Sequence, residues 1–270
     1  MRLAYTRLGA GTPLVLLHGI GSARQAFDPV LPALAERFDV IAIDLPGFGE
    51  SEPVPANVKP HPAVLALRVA DLLDELGITQ PHVVGNSLGG WVALELATMR
   101  PVASLALLSP AGMWRNRTPL YNRISLRVSR WFSANATGLL CRLMSYRVAR
   151  VLILGQTHGQ PARISPEYGR MAIRALGTCP GFDATMRATD PGYRAGAPFD
   201  APVTVAFGSR DRLLLRASRR LDQLPPGTPV RTLPGCGHVP MADDPGAVAA
   251  LITAGASRVR GRAPGPYGMI

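Results

Sequence analysis

Three distant segments carry the side chains that acyl-group chemistry uses: a hydroxyl at Ser87, an imidazole at His238 and a carboxylate at Asp211. Ser87 stands in Gly85-Asn86-Ser87-Leu88-Gly89, a G-x-S-x-G pattern. Such spacing suits a serine held at the tip of a sharp strand-to-helix turn. Glycines on either side remove side chains that would collide in so tight a bend. The N-terminus of the following helix favours negative charge developing nearby. Alone, the pattern is weakly specific in a glycine-rich chain. Its setting sharpens it, because His82–Gly85 reads as a strand and Leu88–Met99 as a helix.

A serine hydroxyl becomes a nucleophile only beside a base. His238 lies in Gly235-Cys236-Gly237-His238-Val239-Pro240, after the last strand-like run, on a loop able to bring an imidazole over a sheet edge. His61, His82 and His158 have no comparable setting. The base in turn needs a carboxylate to fix its tautomer. Asp211, in Phe207-Gly208-Ser209-Arg210-Asp211, follows a strand-like run on the same edge, whereas Asp200 precedes it. Asp243 and Asp244 read as caps of the next helix. Acyl transfer also needs two backbone N–H groups facing the oxyanion. Leu88, after the nucleophile, supplies one candidate; Ile20, in His18-Gly19-Ile20-Gly21, supplies the other. The implied reaction is cleavage of an ester or related acyl bond through an acyl-enzyme, with no metal or organic cofactor. Cys236, near His238, has no second pattern behind it. With Cys141 and Cys179 it reads as a reduced thiol.

The elements that must position these groups alternate along the first part of the chain. Pro13–Leu17, Val40–Ile43, His82–Val84, Val102–Leu108, Val203–Phe207 and Val230–Leu233 are apolar runs of strand length. Continuous rather than alternating apolar runs fit strands covered on both faces. Val64, Leu67, Val69, Leu72, Leu73 and Leu76 recur at helical spacing, and Gly77 ends that helix. The pattern predicts an α/β fold with a doubly wound, mostly parallel sheet. From Gly112 to Pro198 the alternation stops, and arginine-studded apolar stretches predict helices. Residues 1–111 and 199–256 therefore form the predicted core, 112–198 an inserted helical cap, and 257–270 a basic Gly/Pro-rich tail. Within the cap, Trp131, Phe132 and Leu143 are candidates to line a pocket for an apolar substrate, with packing between cap helices the competing role.

Taken together, these segments resemble the α/β-hydrolase family over about residues 1–110 and 199–255, in its serine-nucleophile, esterase-like branch. Asp44-Leu45-Pro46-Gly47-Phe48-Gly49-Glu50-Ser51 adds to the resemblance by matching the family's D-x-P-G-x-G-x-S loop, whose implied role is structural, as is that of His18. The resemblance implies a carboxylesterase or lipase-like enzyme. Branches that attack with aspartate at the turn do not fit Ser87. C–C hydrolases of aromatic breakdown rank second, because Val239-Pro240-Met241 lacks the tryptophans they carry after the histidine. A non-catalytic receptor or scaffold on the same fold is the alternative from another class.

Composition bounds the partners. The 270 residues carry a formal charge of +11, and Lys59 is the sole lysine among 29 basic residues. The arginines are dispersed and no nucleic-acid-binding pattern accompanies them, so nucleic acid is not expected. The sequence does not single out a membrane surface as a partner, although Arg123, Arg127 and Arg130 at helical spacing suit an anionic lipid or a carboxylate as well as a solvated face. No secretion signal or membrane span is recognisable, and the expected location is cytoplasmic. Oligomeric state is left open.

Overall fold

The computed structural model describes residues 1–257, so the expected tail at 257–270 lies, apart from Ser257, outside the described residues. Among the described residues seven strands form one sheet: β1 (Tyr5–Leu8), β2 (Thr12–Leu17), β3 (Phe38–Ile43), β4 (His82–Asn86), β5 (Ser104–Leu108), β6 (Val203–Gly208) and β7 (Val230–Leu233). Their spatial order is β1-β3-β2-β4-β5-β6-β7. Only the β1–β3 pairing is antiparallel. The expected doubly wound parallel sheet is thus the observed one. Every residue of β3, β4, β5 and β6 is buried, which explains why these strands read as unbroken apolar runs. The edge strand β1 was not legible for the opposite reason: all four of its residues are exposed. The fifth strand starts at Ser104 rather than Val102, since the Ala103 N–H bonds the Pro81 carbonyl outside the ladder.

Helices cover both faces. Against one lie α2 (Pro62–Glu75) and α3 (Leu88–Met99), burying Leu65, Val69, Trp91 and Leu94. Against the other lie α1 (Leu31–Ala35) and α9 (Pro245–Ser257), with Phe27, Leu34, Val248 and Ile252. Burying each such side chain contributes about 1.5–3 kcal/mol before conformational entropy is subtracted. Helix α2 starts with Pro62 at its first position and with His61 Nδ1 accepting the Ala63 N–H. Gly77, at φ 68°, ends it as expected.

Between β5 and β6 the chain forms only helices: α4 (Leu120–Asn135), α5 (Thr137–Leu143), α6 (Arg147–Leu154), α7 (Pro166–Thr178) and α8 (Phe182–Ala188). Between α5 and α6 the helical path breaks, and the Arg150 guanidinium bonds the Met144 carbonyl (2.6 Å) there. Cys141, Met144, Leu154, Ile164 and Ile173 give these helices a small core of their own. Among the described residues, no helix is long and apolar enough to cross a membrane.

Candidate active site

Strand β4 turns into α3 at Ser87, whose φ of 54° and ψ of −115° lie outside the ordinary regions for an L-residue. Such backbone costs on the order of 1–3 kcal/mol and persists only where its surroundings fix it. Here the Ser87 N–H donates to the Leu108 carbonyl (3.0 Å), and the Ser87 carbonyl accepts from Gly90 and Ala111 (3.0 and 2.9 Å). The flanking glycines are sterically required. A Cβ on Gly85 would sit 2.2 Å from the Gly89 carbonyl oxygen, and one on Gly89 would sit 2.0 Å from that of Leu17.

The loop after β7 places His238 beneath the surface, where its Nδ1 donates to Asp211 Oδ2 (3.1 Å). That bond leaves the Nε2 lone pair as the basic site of the neutral ring. Nε2 is buried and has no hydrogen-bond partner. Asp211 Oδ1 accepts from the Leu213 and Leu214 N–H groups (both 2.9 Å). Burial pushes the Asp211 carboxyl upward in pKa, but His238 and these two amides outweigh it and hold the group below its ordinary range. Arg219, missed in the sequence, stands 3.8 Å from Asp211 Oδ2 with its guanidinium over the Phe207 ring. Asn86, beside Ser87, donates from Nδ2 to the carbonyls of Leu108 (3.0 Å) and His238 (2.9 Å). The serine turn and the histidine loop are therefore clasped by one buried amide.

The loop following β2 lies flush against the serine: a Cβ added at Gly19 would meet the Ser87 Cβ at 3.2 Å. The N–H groups of Ile20 and Leu88 donate to no other group among the described residues. His18 holds the loop rather than moving protons. Its Nδ1 donates to the Gly19 carbonyl (2.7 Å), its Nε2 accepts from Leu45 N–H (3.0 Å), and burial lowers its pKa. Asp44 accepts from the Arg24 and Glu50 N–H groups (2.6 and 2.9 Å) and pairs with the Arg24 guanidinium. The loop 44–51 is likewise structural.

Asp243 departs from expectation. Asp244 caps α9 by accepting from Ala247 N–H (2.9 Å). Asp243 instead accepts three backbone N–H groups, from Gly237 (2.7 Å), Gly159 (2.8 Å) and Gln160 (2.8 Å). It fastens the histidine loop to the helical insertion, and Val239 N–H to Thr157 carbonyl (2.9 Å) fastens it again. The same contact buries His158, whose Nδ1 faces Thr157 Oγ1 (3.0 Å) and whose Nε2 has no partner. Burial lowers the His158 pKa as well. Nothing local in the sequence signals the burial of His158, because its neighbours come from the far end of the chain. Cys236 is buried with its thiol pushed up to about 11, first by burial and then by Asp243 and Asp244, so it is no nucleophile near neutral pH.

A cavity of about 400 Å³ lies between the insertion and the sheet, with Ile20, Val239, His158, Phe132, Leu140 and Leu176 on its walls. Ser87 and His238 are not on its walls; it abuts them through Ile20 and Val239, one residue from each loop. Of Trp131, Phe132 and Leu143, singled out in the sequence, Phe132 borders the cavity. Trp131 is 60% exposed on the outward face of α4 and packs edge-on to Phe132, and Leu143, at the end of α5, is half-buried and does not border the cavity. Among the described residues no cluster of His, Cys, Asp or Glu could hold a metal ion.

One antiparallel edge strand on a parallel sheet, a serine on the turn after β4 and a His–Asp pair after β7 and β6 define the α/β-hydrolase class. The family model described as "Alpha/beta hydrolase family" matches residues 14–251. The chain belongs to that family. It is 33% identical over 252 residues to the dihydrolipoyllysine-residue acetyltransferase component of the acetoin cleaving system of Cupriavidus necator, covering 88% of this chain and spanning 62% of that protein. It is 31% identical over 259 residues to a pimeloyl-[acyl-carrier protein] methyl ester esterase of Aeromonas hydrophila, covering 91% of this chain and 95% of that one. Epoxide and 2-hydroxymuconate semialdehyde hydrolases are also relatives. Among solved structures, a thermophilic esterase from Thermogutta terrifontis superposes with a TM-score of 0.74 at 23% identity, over 95% of this chain and 93% of that one, a likeness of fold.

Proposed function

We propose that this chain is a serine hydrolase that cleaves a carboxylic ester of a small apolar substrate through an acyl-enzyme, with residues 112–198 acting as a cap on a core formed by 1–111 and 199–256. The observation that carries this reading is the buried His238 ring, bonded through Nδ1 to Asp211, bare at Nε2, and clasped by Asn86 beside the strained Ser87. His238 takes the Ser87 proton as the oxygen attacks the carbonyl. Ile20 and Leu88 N–H groups receive the oxyanion, each contributing roughly 3 kcal/mol of barrier lowering. His238 then protonates the departing alcohol, and water attacks the acyl-serine by the same route. The cavity takes the acyl part, with Phe132 rather than Trp131 or Leu143 against it. The methyl ester esterase relative favours ester over C–C cleavage, as does Val239 where a tryptophan would follow the base.

A fluorophosphonate probe tests the reading. Wild type is expected to gain one adduct, mapped by mass spectrometry to Ser87, and Ser87→Ala none. Labelling elsewhere, or none in protein shown folded by circular dichroism, would leave a receptor or scaffold role. p-Nitrophenyl acyl esters should turn over faster than a vinylogous diketone; the reverse order would install the C–C hydrolase reading.

A further inference from the structure

Helix α4 is turned inside out for a helix packed on a globular protein. The residues it buries fully are polar, Asn122 and Ser133, with Asn122 Nδ2 donating to the Leu213 carbonyl (2.9 Å), while Leu126 between them is partly buried against the core. Its outward stripe is apolar: Leu120, Ile124, Val128 and Trp131, at spacings of four, four and three, are all exposed. The same outward bias continues on α6, where Val148 is 73% and Leu152 78% exposed. Val128, Phe132 and Leu152 are exposed and also border the cavity, so α4 and α6 converge at its mouth. Contiguous exposed apolar surface of this kind marks a docking site rather than ordinary solvent contact.

Charge identifies the occupant. From Leu96 to Pro166 the sequence contains no aspartate or glutamate, while Arg115 to Arg163 includes nine arginines. On α4, Arg123 and Arg127 stand beside the apolar stripe, whereas Arg130 turns inward, with its Nε buried and its guanidinium by Cys179. None of the nine is in a salt bridge among the described residues, although Arg150 is buried on the Met144 and Ala162 carbonyls and does not count toward the surface. A second copy of the chain would set arginine against arginine. A surface presenting fixed negative charge above an apolar layer matches both features.

We propose that the face built by α4 and α6 docks on an anionic lipid bilayer, with Trp131 and Leu152 in the acyl-chain boundary and Arg123 and Arg127 among the headgroups. The cavity mouth then opens toward the lipid, and substrate partitions into it from the membrane. Docking itself stands apart from the proposed catalysis, so it is tested without turnover.

Trp91 and Trp114 are buried, which makes Trp131 the reporter. Adding phosphatidylglycerol vesicles is expected to shift tryptophan emission to the blue and to co-sediment the protein. Phosphatidylcholine vesicles should bind at least tenfold more weakly. Arg123→Glu with Arg127→Glu should weaken binding to the anionic vesicles by at least tenfold, and Trp131→Ser should abolish the blue shift. All these variants should keep wild-type turnover of a short water-soluble ester. If Ser87 is not catalytic, fluorophosphonate labelling fails while vesicle binding persists. Equal binding to both vesicle types, no binding to either, or a dimer in sedimentation whose contact Trp131→Ser dissolves would overturn the proposal.

Discussion

Two neighbouring aspartates, Asp243 and Asp244, give the sharpest test of how the proposed base is held. Asp243 receives three backbone N–H groups on a single carboxylate: Oδ2 accepts from Gly159 and Gly237, Oδ1 from Gln160. Hydrogen bonds to a charged acceptor contribute about 1.5–3 kcal/mol each. Because the carboxylate retains some solvent contact, the low end applies, and three such bonds total about 4.5 kcal/mol. Asp243→Ala should lose about that much. Asp243→Asn can keep its carbonyl on the two-donor side, but its amide then confronts the Gln160 N–H, and a loss of about 2 kcal/mol is expected. The carboxylate stops one residue short of His238, so the imidazole should lose register with Ser87. A misplacement near 1 Å costs on the order of 100-fold in rate. Turnover of a p-nitrophenyl ester should therefore fall ten- to 100-fold in kcat with little change in KM. Asp244 carries only the α9 cap, so Asp244→Asn should sit within about 0.5 kcal/mol of wild type, with full activity. Urea denaturation and steady-state kinetics on the four proteins decide it. Equal stability and equal kcat for Asp243→Asn and Asp244→Asn would refute the clamp.

Further expectations follow from the same geometry. In Asp211→Asn the two amides of Leu213 and Leu214 hold the carbonyl oxygen, which turns the new NH2 toward His238 Nδ1; the ring must then carry its proton on Nε2, and kcat should drop by about 10⁴ with the fold retained. Ser87→Gly should be inactive yet more stable than Ser87→Ala by about 1–2 kcal/mol, since glycine adopts φ 54°, ψ −115° without strain; equal urea midpoints would contradict the strained turn. His18 and His158 have pKa values lowered by burial, so the unfolded chain binds protons that the folded one refuses. Their stabilisation is complete above the unfolded histidine pKa of about 6.5 and is lost as pH falls below it, at up to roughly 1.4 kcal/mol per pH unit for each ring. Asp211 adds its own loss only near pH 4 and below. Urea midpoints should decline from pH 7 to pH 5, with a flatter decline in His18→Gln; a flat wild-type profile would show the rings are not held neutral.

The sequence alone determined the sheet, the serine turn and the identity of the histidine and aspartate that pair. These features are written locally: doubly covered strands must be continuously apolar, and the bend at Ser87 tolerates no Cβ at Gly85 or Gly89. The exposed edge strand β1 left no such trace. Tertiary structure alone decided what the neighbours of these groups do. Asp243 and Asp244 are chemically identical and adjacent, and only the approach of Gly159 and Gln160, more than eighty residues away, makes one a clamp and the other a cap. His158 is buried by that same approach. Helical spacing put Arg123, Arg127 and Arg130 in a row on α4, but periodicity carries no direction: it cannot say which face meets the protein. The fold turned Asn122 and Ser133 inward and left the apolar stripe outside, because burial is fixed by what packs against a helix, not by the helix itself.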